Sequence, residues 1–159
     1  FPYLDLILAS LIYETVLYCM SQIIVFGVCF AYGYYPTWTW FYLPFIILMQ
    51  AFLSFGFMLI NALIAFMFYD YQKLLPFILR IWFFVSPAVW SIDMLPARYQ
   101  AYVYYNPMTI VFESYRSVLL YGHAPNWHHI ELFLLGSFCI SLIGLVLFIK
   151  REPYINRYI

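Results

Sequence analysis

The side chains able to do acid–base or metal chemistry in this sequence fall in three places. One is a cluster in the last third of the chain, where His123, His128 and His129 precede Glu131. These residue types bind zinc and move protons, but their spacing matches no familiar ligand pattern. We interpret the cluster as histidines at an aqueous surface, and we expect no metal site.

The second place is a lone carboxylate, Glu14, inside a long apolar run. Ser10 and Tyr18 lie four residues before and after it, so the three share one face of a helix. Gln50 and Asn61 interrupt the next apolar run in a similar way. A proton relay through Glu14 would need a partner at matching depth, and none of these runs supplies one. We favour structural hydrogen bonding, with proton coupling as the alternative.

The third place is the stretch YYNPMTIVFESYR, which combines a turn, a carboxylate and a guanidinium. Asn106 and Pro107 suit the residue before a helix and its first position. Glu113 and Arg116 stand three residues apart, where side chains of one helix can pair. The stretch therefore predicts a short helix that carries an internal ion pair.

Composition decides what surrounds these residues. Charged residues make up 9% of the chain and hydrophobic residues 67%, whereas soluble domains carry about 25% charged residues. Positions 15–69 contain no Asp, Glu, Lys or Arg, a length of more than two spans of about 20 residues. The chain is therefore predicted to be an all-α integral membrane protein. Its net charge of zero gives no reason to expect a nucleic-acid partner.

Apolar runs predict four transmembrane helices and a region of shorter pieces before the last of them. The pieces at 97–104 and 108–120 are too short to cross about 30 Å of hydrocarbon. We expect them to form a re-entrant helical hairpin that dips into the outer leaflet, covered by protein. The predicted spans are 4–32, 43–68, 77–94 and 130–149, and the re-entrant region is 95–127.

Basic residues orient these spans, because cytoplasmic loops carry an excess of Lys and Arg. We expect the 70–76 turn and the C-terminus in the cytoplasm, and the 33–42 loop and the re-entrant region outside. The cytoplasmic set is Lys73, Arg80, Lys150, Arg151 and Arg157, and the outer set is Arg98 and Arg116.

Several short motifs follow one another along the second half of the chain. They are Tyr71-Gln72-Lys73-Leu74-Leu75-Pro76, Phe84-Val85-Ser86-Pro87, Met94-Leu95-Pro96, Tyr105-Asn106-Pro107-Met108, Glu113, Tyr115-Arg116 and Gly122. In this order they resemble the membrane subunits of polysaccharide-exporting ABC transporters. This family includes exporters of capsular polysaccharide, O-antigen and teichoic acid, and Tyr13, Glu14 and Tyr18 in the first span lean toward the capsular branch.

The resemblance implies a non-catalytic permease that moves a lipid-linked glycan across the bacterial cytoplasmic (inner) membrane. ATP and magnesium would be bound by separate ATPase subunits, and this chain contains no phosphate-binding loop motif and is expected to hold no cofactor. The implied partners are a second copy of the chain, two ATPase subunits, the lipid-linked glycan, membrane lipid and envelope export proteins. A chain that begins at Phe1 and shows four of the family's six spans is expected to be part of a longer permease, whose N-terminal part is absent.

Two sets of residues become candidate sites under this resemblance. Phe83, Pro87 and Trp90 recur at helical spacing on the span that carries Arg80, and an aromatic stripe can stack against sugars, although core packing is the simpler explanation. Pro87 is also expected to kink or interrupt that helix. The candidate exit gate consists of Tyr105, Asn106, Pro107, Glu113 and Arg116.

Two other functions remain open from the sequence. One is an ABC permease for a drug or small lipid, which would have a narrower or more apolar conduit. The other belongs to a different class, a membrane-embedded glycosyl- or acyltransferase that uses the cluster at 123–131.

Overall fold

The computed structural model describes residues 2–155, with side chains from Tyr3 to Arg151, and this part of the chain contains helices and no strand. Phe1 and residues 156–159, which include Arg157, lie outside the described residues. The helices are α1 (Pro2–Ala31), α2 (Leu43–Met67), α3 (Tyr71–Val85), α4 (Ala97–Val103), α5 (Pro107–Leu119) and α6 (Trp127–Ile155), with short 3₁₀ turns at Trp38–Tyr42 and Ile92–Met94.

Three segments of the described chain are long and apolar enough to cross a membrane. They are Tyr3–Ala31, Trp38–Met67 and Trp127–Arg151, with 29, 30 and 25 residues. They coincide with the first, second and fourth predicted spans. The all-α membrane class is therefore confirmed.

The third predicted span has different bounds in the structure. Its helix, α3, begins at Tyr71 and ends at Val85, so its 15 residues extend about 22 Å at 1.5 Å each. Ser86 has φ −79° and ψ 149°, because a residue before proline is driven out of the helical region. The interruption expected at Pro87 is confirmed, and the chain continues to Ser91 without helix. The crossing of the membrane by this segment stays a prediction.

Helix α2 is the centre of the bundle and runs parallel to α6. Contacting pairs occur in the same order along both helices: Tyr42 with Trp127, Phe52 with Ser141, and Leu63 with Phe148. Because the two helices point the same way, residues 68–126 must carry the chain back from the end of α2 to the start of α6.

Small residues allow α2 and α6 to lie close together. A Cβ placed on Gly56 would lie 2.8 Å from Ser141 Oγ and 2.9 Å from its backbone nitrogen. On the facing helix, a Cβ on Gly144 would come within 3.1 Å of the Gly56 carbonyl oxygen. Close backbone approach of this kind is how helices pack in lipid, where apolar burial gives no driving force. The α2–α6 pair is thus the rigid frame of the molecule.

Helices α4 and α5 match the two short pieces predicted before the last span, to within one residue at each end. Ile110, Val111 and Val118 of α5 are buried against the first half of α2 and the first turns of α6. Past the end of α5, Gly122 has φ +63°, and the amide of His123 donates to the Ser117 carbonyl at 2.9 Å. The dip of the α4–α5 pair into a leaflet stays a prediction.

Candidate functional site

The start of α5 is capped by the residues that the sequence predicts. Asn106 has extended backbone angles, φ −81° and ψ 116°, and its side-chain oxygen accepts from the Met108 amide at 3.1 Å. Pro107 fills the first helical position, where a missing N–H costs no intrahelical bond. The predicted helix start is confirmed.

The same Asn106 side chain also holds the end of α3. The indole nitrogen of Trp82 donates to its Oδ1 at 3.0 Å, and its Nδ2 donates to Ser86 Oγ at 2.8 Å. Ser86 is fully buried and donates in turn to the Trp82 carbonyl at 2.7 Å. One amide group therefore fastens the last turn of α3 to the first turn of α5.

Arg116 makes a second connection between α5 and the segment that follows α3. Its Nη1 lies 2.8 Å from Glu113 Oε1, so the pairing predicted from their spacing is present. Its Nη2 donates to the carbonyl oxygens of Trp90, at 2.9 Å, and of Ala88, at 3.5 Å. We call Trp82, Ser86, Asn106, Glu113 and Arg116 the junction network.

The junction network explains how an irregular segment persists beside apolar helices. Residues 86–91 have no helix to satisfy their carbonyl oxygens, and Arg116 supplies donors to two of them. Non-helical backbone at membrane depth is tolerated only where protein or water satisfies it. The side chains of Arg116 and Glu113 are 20% and 27% exposed, so the pair is mostly shielded from solvent and lipid.

The aromatic stripe predicted on the third span is interrupted in the structure. Because α3 ends at Val85, Pro87 and Trp90 do not continue its face. Pro87 is fully buried, whereas Phe83 is 46% exposed and Arg80 is also exposed on α3. Of the four candidate channel residues, Arg80 and Phe83 therefore lie on α3 with exposed side chains.

The remaining gate candidate and the histidine cluster lie beside α5. Tyr105 is 80% exposed, whereas its neighbour Tyr104 stacks on the His129 ring with centroids 4.2 Å apart. Burial, followed by the negative charges of Glu113 and Asp93, raises the pKa of the Tyr104 hydroxyl. Within the described part of the chain, no group of three or more His, Cys, Asp or Glu side chains is placed to hold a metal ion.

A second polar region lies between α1 and α2, and we call it the α1–α2 groove. Glu14 and Tyr18 on α1 face Gln50 and Ser54 on α2 across a cavity of about 200 Å³. Glu14 and Tyr18, which the sequence places on one helix face, thus meet Gln50 of the second span, a contact that the sequence did not predict. The lining residues are Leu11, Glu14, Thr15, Tyr18, Ile47, Gln50, Ala51, Ser54 and Met58.

Polar groups in the groove have fewer partners than those of the junction network. The Tyr115 hydroxyl of α5 donates to Gln50 Oε1 at a long 3.4 Å, and the Tyr115 ring lies 6.3 Å from that of Tyr18. Among the residues that the structure describes, Glu14 has no ion-pair or hydrogen-bond partner. The cavity is roomy and polar enough to hold water or a polar ligand.

Asn61 does not line the groove and is hydrogen-bonded to the first residue of α3 instead. Its Nδ2 donates to the Phe57 carbonyl one turn earlier at 2.7 Å, and the Tyr71 hydroxyl donates to its Oδ1. Because Tyr71 is the first residue of α3, this contact sets where α3 begins relative to α2.

The sequence did not predict several residues that contact the candidate site residues. Trp82 and Ser86 were not among the predicted site residues, although a Ser directly before Pro87 marks a helix end where a hydroxyl is available. Tyr115 was named only as part of the family resemblance, and Tyr104 gave no signal of its own, because aromatic residues make up 25% of the chain.

These observations define an all-helical membrane protein with two polar regions among its helices. The family model of the ABC-2 type transporter matches residues 1–120, and the chain belongs to this family.

Curated relatives of the chain include three permeases or transport proteins. It is 23% identical over 153 residues to the O-antigen export system permease protein RfbA of Klebsiella pneumoniae, covering 96% of this chain and 59% of that protein. It is 25% identical over 150 residues to the polysialic acid transport protein KpsM of Escherichia coli, covering 94% and 58%. RfbA of Myxococcus xanthus is 26% identical over 98 residues, covering 60% and 38%. The chain thus spans less than two thirds of the length of these relatives.

Proposed function

We propose that this chain is the permease part of an ATP-driven exporter that moves a lipid-linked polysaccharide across the bacterial inner membrane. The observation that carries the proposal is similarity along nearly the whole chain to both an O-antigen export permease and a polysialic acid transport protein. Relatives of both kinds match, so the proposal covers capsular and O-antigen polymers. Teichoic acid belongs to the same chemical class.

In this proposal the chain transmits motion and forms a path, and it makes or breaks no covalent bond. Separate ATPase subunits bind ATP and magnesium, and two copies of the permease enclose the path. The absence of a phosphate-binding loop motif from the sequence agrees with an ATPase on another chain.

We further propose four crossings, with the C-terminus in the cytoplasm. The parallel direction of α2 and α6 supports this count, because it requires one return of the chain between them. Met67 at the end of α2 lies beside Arg151 at the end of α6, and Lys73 follows six residues after Met67. The basic residues at this end favour its cytoplasmic placement.

The junction network supports a role for α5 as the outer gate of the path. It joins α5 to residues 86–91, the irregular part of the segment that is proposed to cross the membrane. A movement of α3 would therefore pull on α5 directly through Asn106 and Arg116. Glu113 keeps the Arg116 side chain oriented toward the carbonyl oxygens that it binds.

The function is tested by deleting the gene and restoring the full-length protein. We expect the deletion to remove polysaccharide from the cell surface and to accumulate lipid-linked polymer inside, and the wild-type gene to reverse both effects. A strain with normal surface polysaccharide and altered export of a drug or small lipid would support the alternative permease.

The enzyme alternative is tested in the same strain. The paired substitution of His123 and His128 by alanine spares the stacked His129 and should leave export unchanged. Loss of a glycosyl or acyl transfer product in that variant, with the protein at normal level in the membrane, would contradict a non-catalytic role.

A further inference from the structure

A notch opens between the last turns of α2 and the part of α6 where its apolar run stops. Its volume is about 230 Å³. One basic side chain, Arg151, lies at this notch, and the remaining lining residues are apolar. The lining residues are Ile60, Leu63, Ile64, Phe66, Met67, Leu147 and Arg151.

The sequence produces this combination because α2 ends beside the point where the apolar run of the parallel helix α6 stops. Arg151 follows Lys150 at the point where the apolar run of α6 stops, and α2 contains no charged residue at all. Among the side chains that the structure describes, from Tyr3 to Arg151, no carboxylate lines the notch, and Phe66 and Met67 are 47% and 57% exposed. The notch is therefore an apolar slot with one guanidinium in its lining.

We propose that this notch binds one anionic phospholipid, with an acyl chain in the slot and its phosphate on Arg151. Contact with the apolar walls cannot select a lipid, because lipid tails are as apolar as the walls themselves. Selection must come from the head group, and guanidinium binds phosphate through paired, charge-assisted hydrogen bonds. Basic pockets between helices at a cytoplasmic surface bind anionic head groups in this way.

Other occupants fit the notch less well. An apolar helix face laid against the notch would leave the Arg151 guanidinium without a counter-charge, which is costly away from water. A free glycan would gain nothing from apolar walls. The inference depends on the position of Arg151 and the slot, and the export function can fail without affecting it.

Native mass spectrometry of the full-length protein in detergent tests the proposal. The probes are phosphatidylglycerol and phosphatidylcholine with identical acyl chains, added in equal amounts. Wild type should retain phosphatidylglycerol about fivefold more than phosphatidylcholine, which corresponds to about 1 kcal/mol for one basic residue at a membrane surface. Arg151→Gln should abolish this preference, and Arg151→Lys should keep most of it.

Lys150→Gln is the matched control, since it removes the same charge from the neighbouring position that does not line the notch. It should leave the lipid preference within about twofold of wild type, because its charge lies off the slot. Leu147→Trp fills the slot and should lower the retention of both lipids. The unfolding midpoint of each variant, measured in the same detergent, shows whether it is folded.

Three results would overturn the proposal. The first is equal retention of the two phospholipids by wild type. The second is an equal loss of preference in Lys150→Gln and Arg151→Gln, which would indicate a diffuse surface charge. The third is stronger retention of a polyprenyl phosphate than of phosphatidylglycerol, which would assign the notch to a lipid carrier instead of a bilayer phospholipid.

Discussion

The junction network and the α1–α2 groove are both polar regions in an apolar chain, and they treat their polar groups in opposite ways. In the junction network Asn106 and Arg116 each make at least three polar contacts. In the groove, Glu14 has no partner among the described residues, and the contact at Gln50 is long. The polar side chains of the junction network are hydrogen-bonded within the described chain, whereas Glu14 in the groove is not.

We expect this difference to separate polar groups that hold the fold together from polar groups that serve the function. A buried network whose hydrogen bonds are all made stabilises one arrangement of the chain. When one member is removed, its partners stay buried without a hydrogen bond, and this destabilises the protein. Unsatisfied polar groups within a membrane destabilise the protein and mark positions for a ligand, ion or water. We therefore expect substitutions in the two regions to change stability in opposite directions.

The largest loss of stability is expected from Asn106→Ala. It removes a helix cap, worth about 1 kcal/mol, and leaves the Trp82 indole N–H unpaired, which costs about 1–3 kcal/mol more. The unfolding midpoint of the full-length protein in detergent should fall accordingly, and export should be lost. Asn106→Asp keeps the acceptor for Met108 and Trp82 and should recover part of the loss.

Asn126→Ala is the matched control for this experiment. Asn126 also accepts from a backbone amide near a helix start, that of His128 at 3.1 Å. It makes no contact with α3 in the described structure, so its loss should cost only about 1 kcal/mol. Equal destabilisation by the two substitutions would show that Asn106 acts as a cap alone.

A smaller loss is expected when either partner of the Glu113–Arg116 pair is removed. Each single substitution to alanine leaves a mostly shielded charge unpaired and should cost about 2 kcal/mol, reduced from the fully buried case by the remaining exposure. The double variant should lose less than the sum of the single losses. Export rate and protein level are measured together in the double-mutant cycle.

The two single variants should also differ from each other. Arg116 additionally binds the carbonyls of Ala88 and Trp90, so Arg116→Ala should be the more damaging of the two. Strict additivity of the two losses would show that Glu113 and Arg116 act separately. It would refute the proposal that Glu113 orients Arg116 in the outer gate.

The sequence predicted elements better than contacts between them. Long apolar runs define α1, α2 and α6, and the Asn106-Pro107 turn defines the start of α5, because these signals are local. The sequence predicted an interruption at Pro87 but continued the third span to residue 94, whereas α3 ends at Val85. The partners of Arg116 could not be predicted, because backbone carbonyls at positions 88 and 90 have no sequence signature. Helical spacing placed Glu14 and Tyr18 on one face of α1, but their meeting with Gln50 and the size of the groove depend on packing and were not predicted.

A change of opposite sign is expected from Glu14→Leu. Because the substitution removes an ionisable group that has no partner, the free energy of unfolding should rise by about 1–2 kcal/mol, and the unfolding midpoint should rise with it. Export should fall severalfold. Glu14→Gln separates charge from polarity in the same assay. Ile12→Leu on the same helix, 64% exposed and outside the groove lining, is a control that should change neither quantity. A fall in stability for Glu14→Leu would place Glu14 with the junction network, as a structural group.

The smallest effect is expected from Tyr115→Phe, which tests whether the two regions are connected. Tyr115 is one residue before Arg116 on α5, and its hydroxyl reaches Gln50 in the groove at 3.4 Å. A hydrogen bond this long is weak, so its loss should lower the free energy of unfolding by less than about 1 kcal/mol. If the hydroxyl passes movement of α5 to the groove, Tyr115→Phe combined with Glu14→Gln should affect export no more than Glu14→Gln alone. Independent, multiplying effects on the export rate would show that the groove and the junction network act separately.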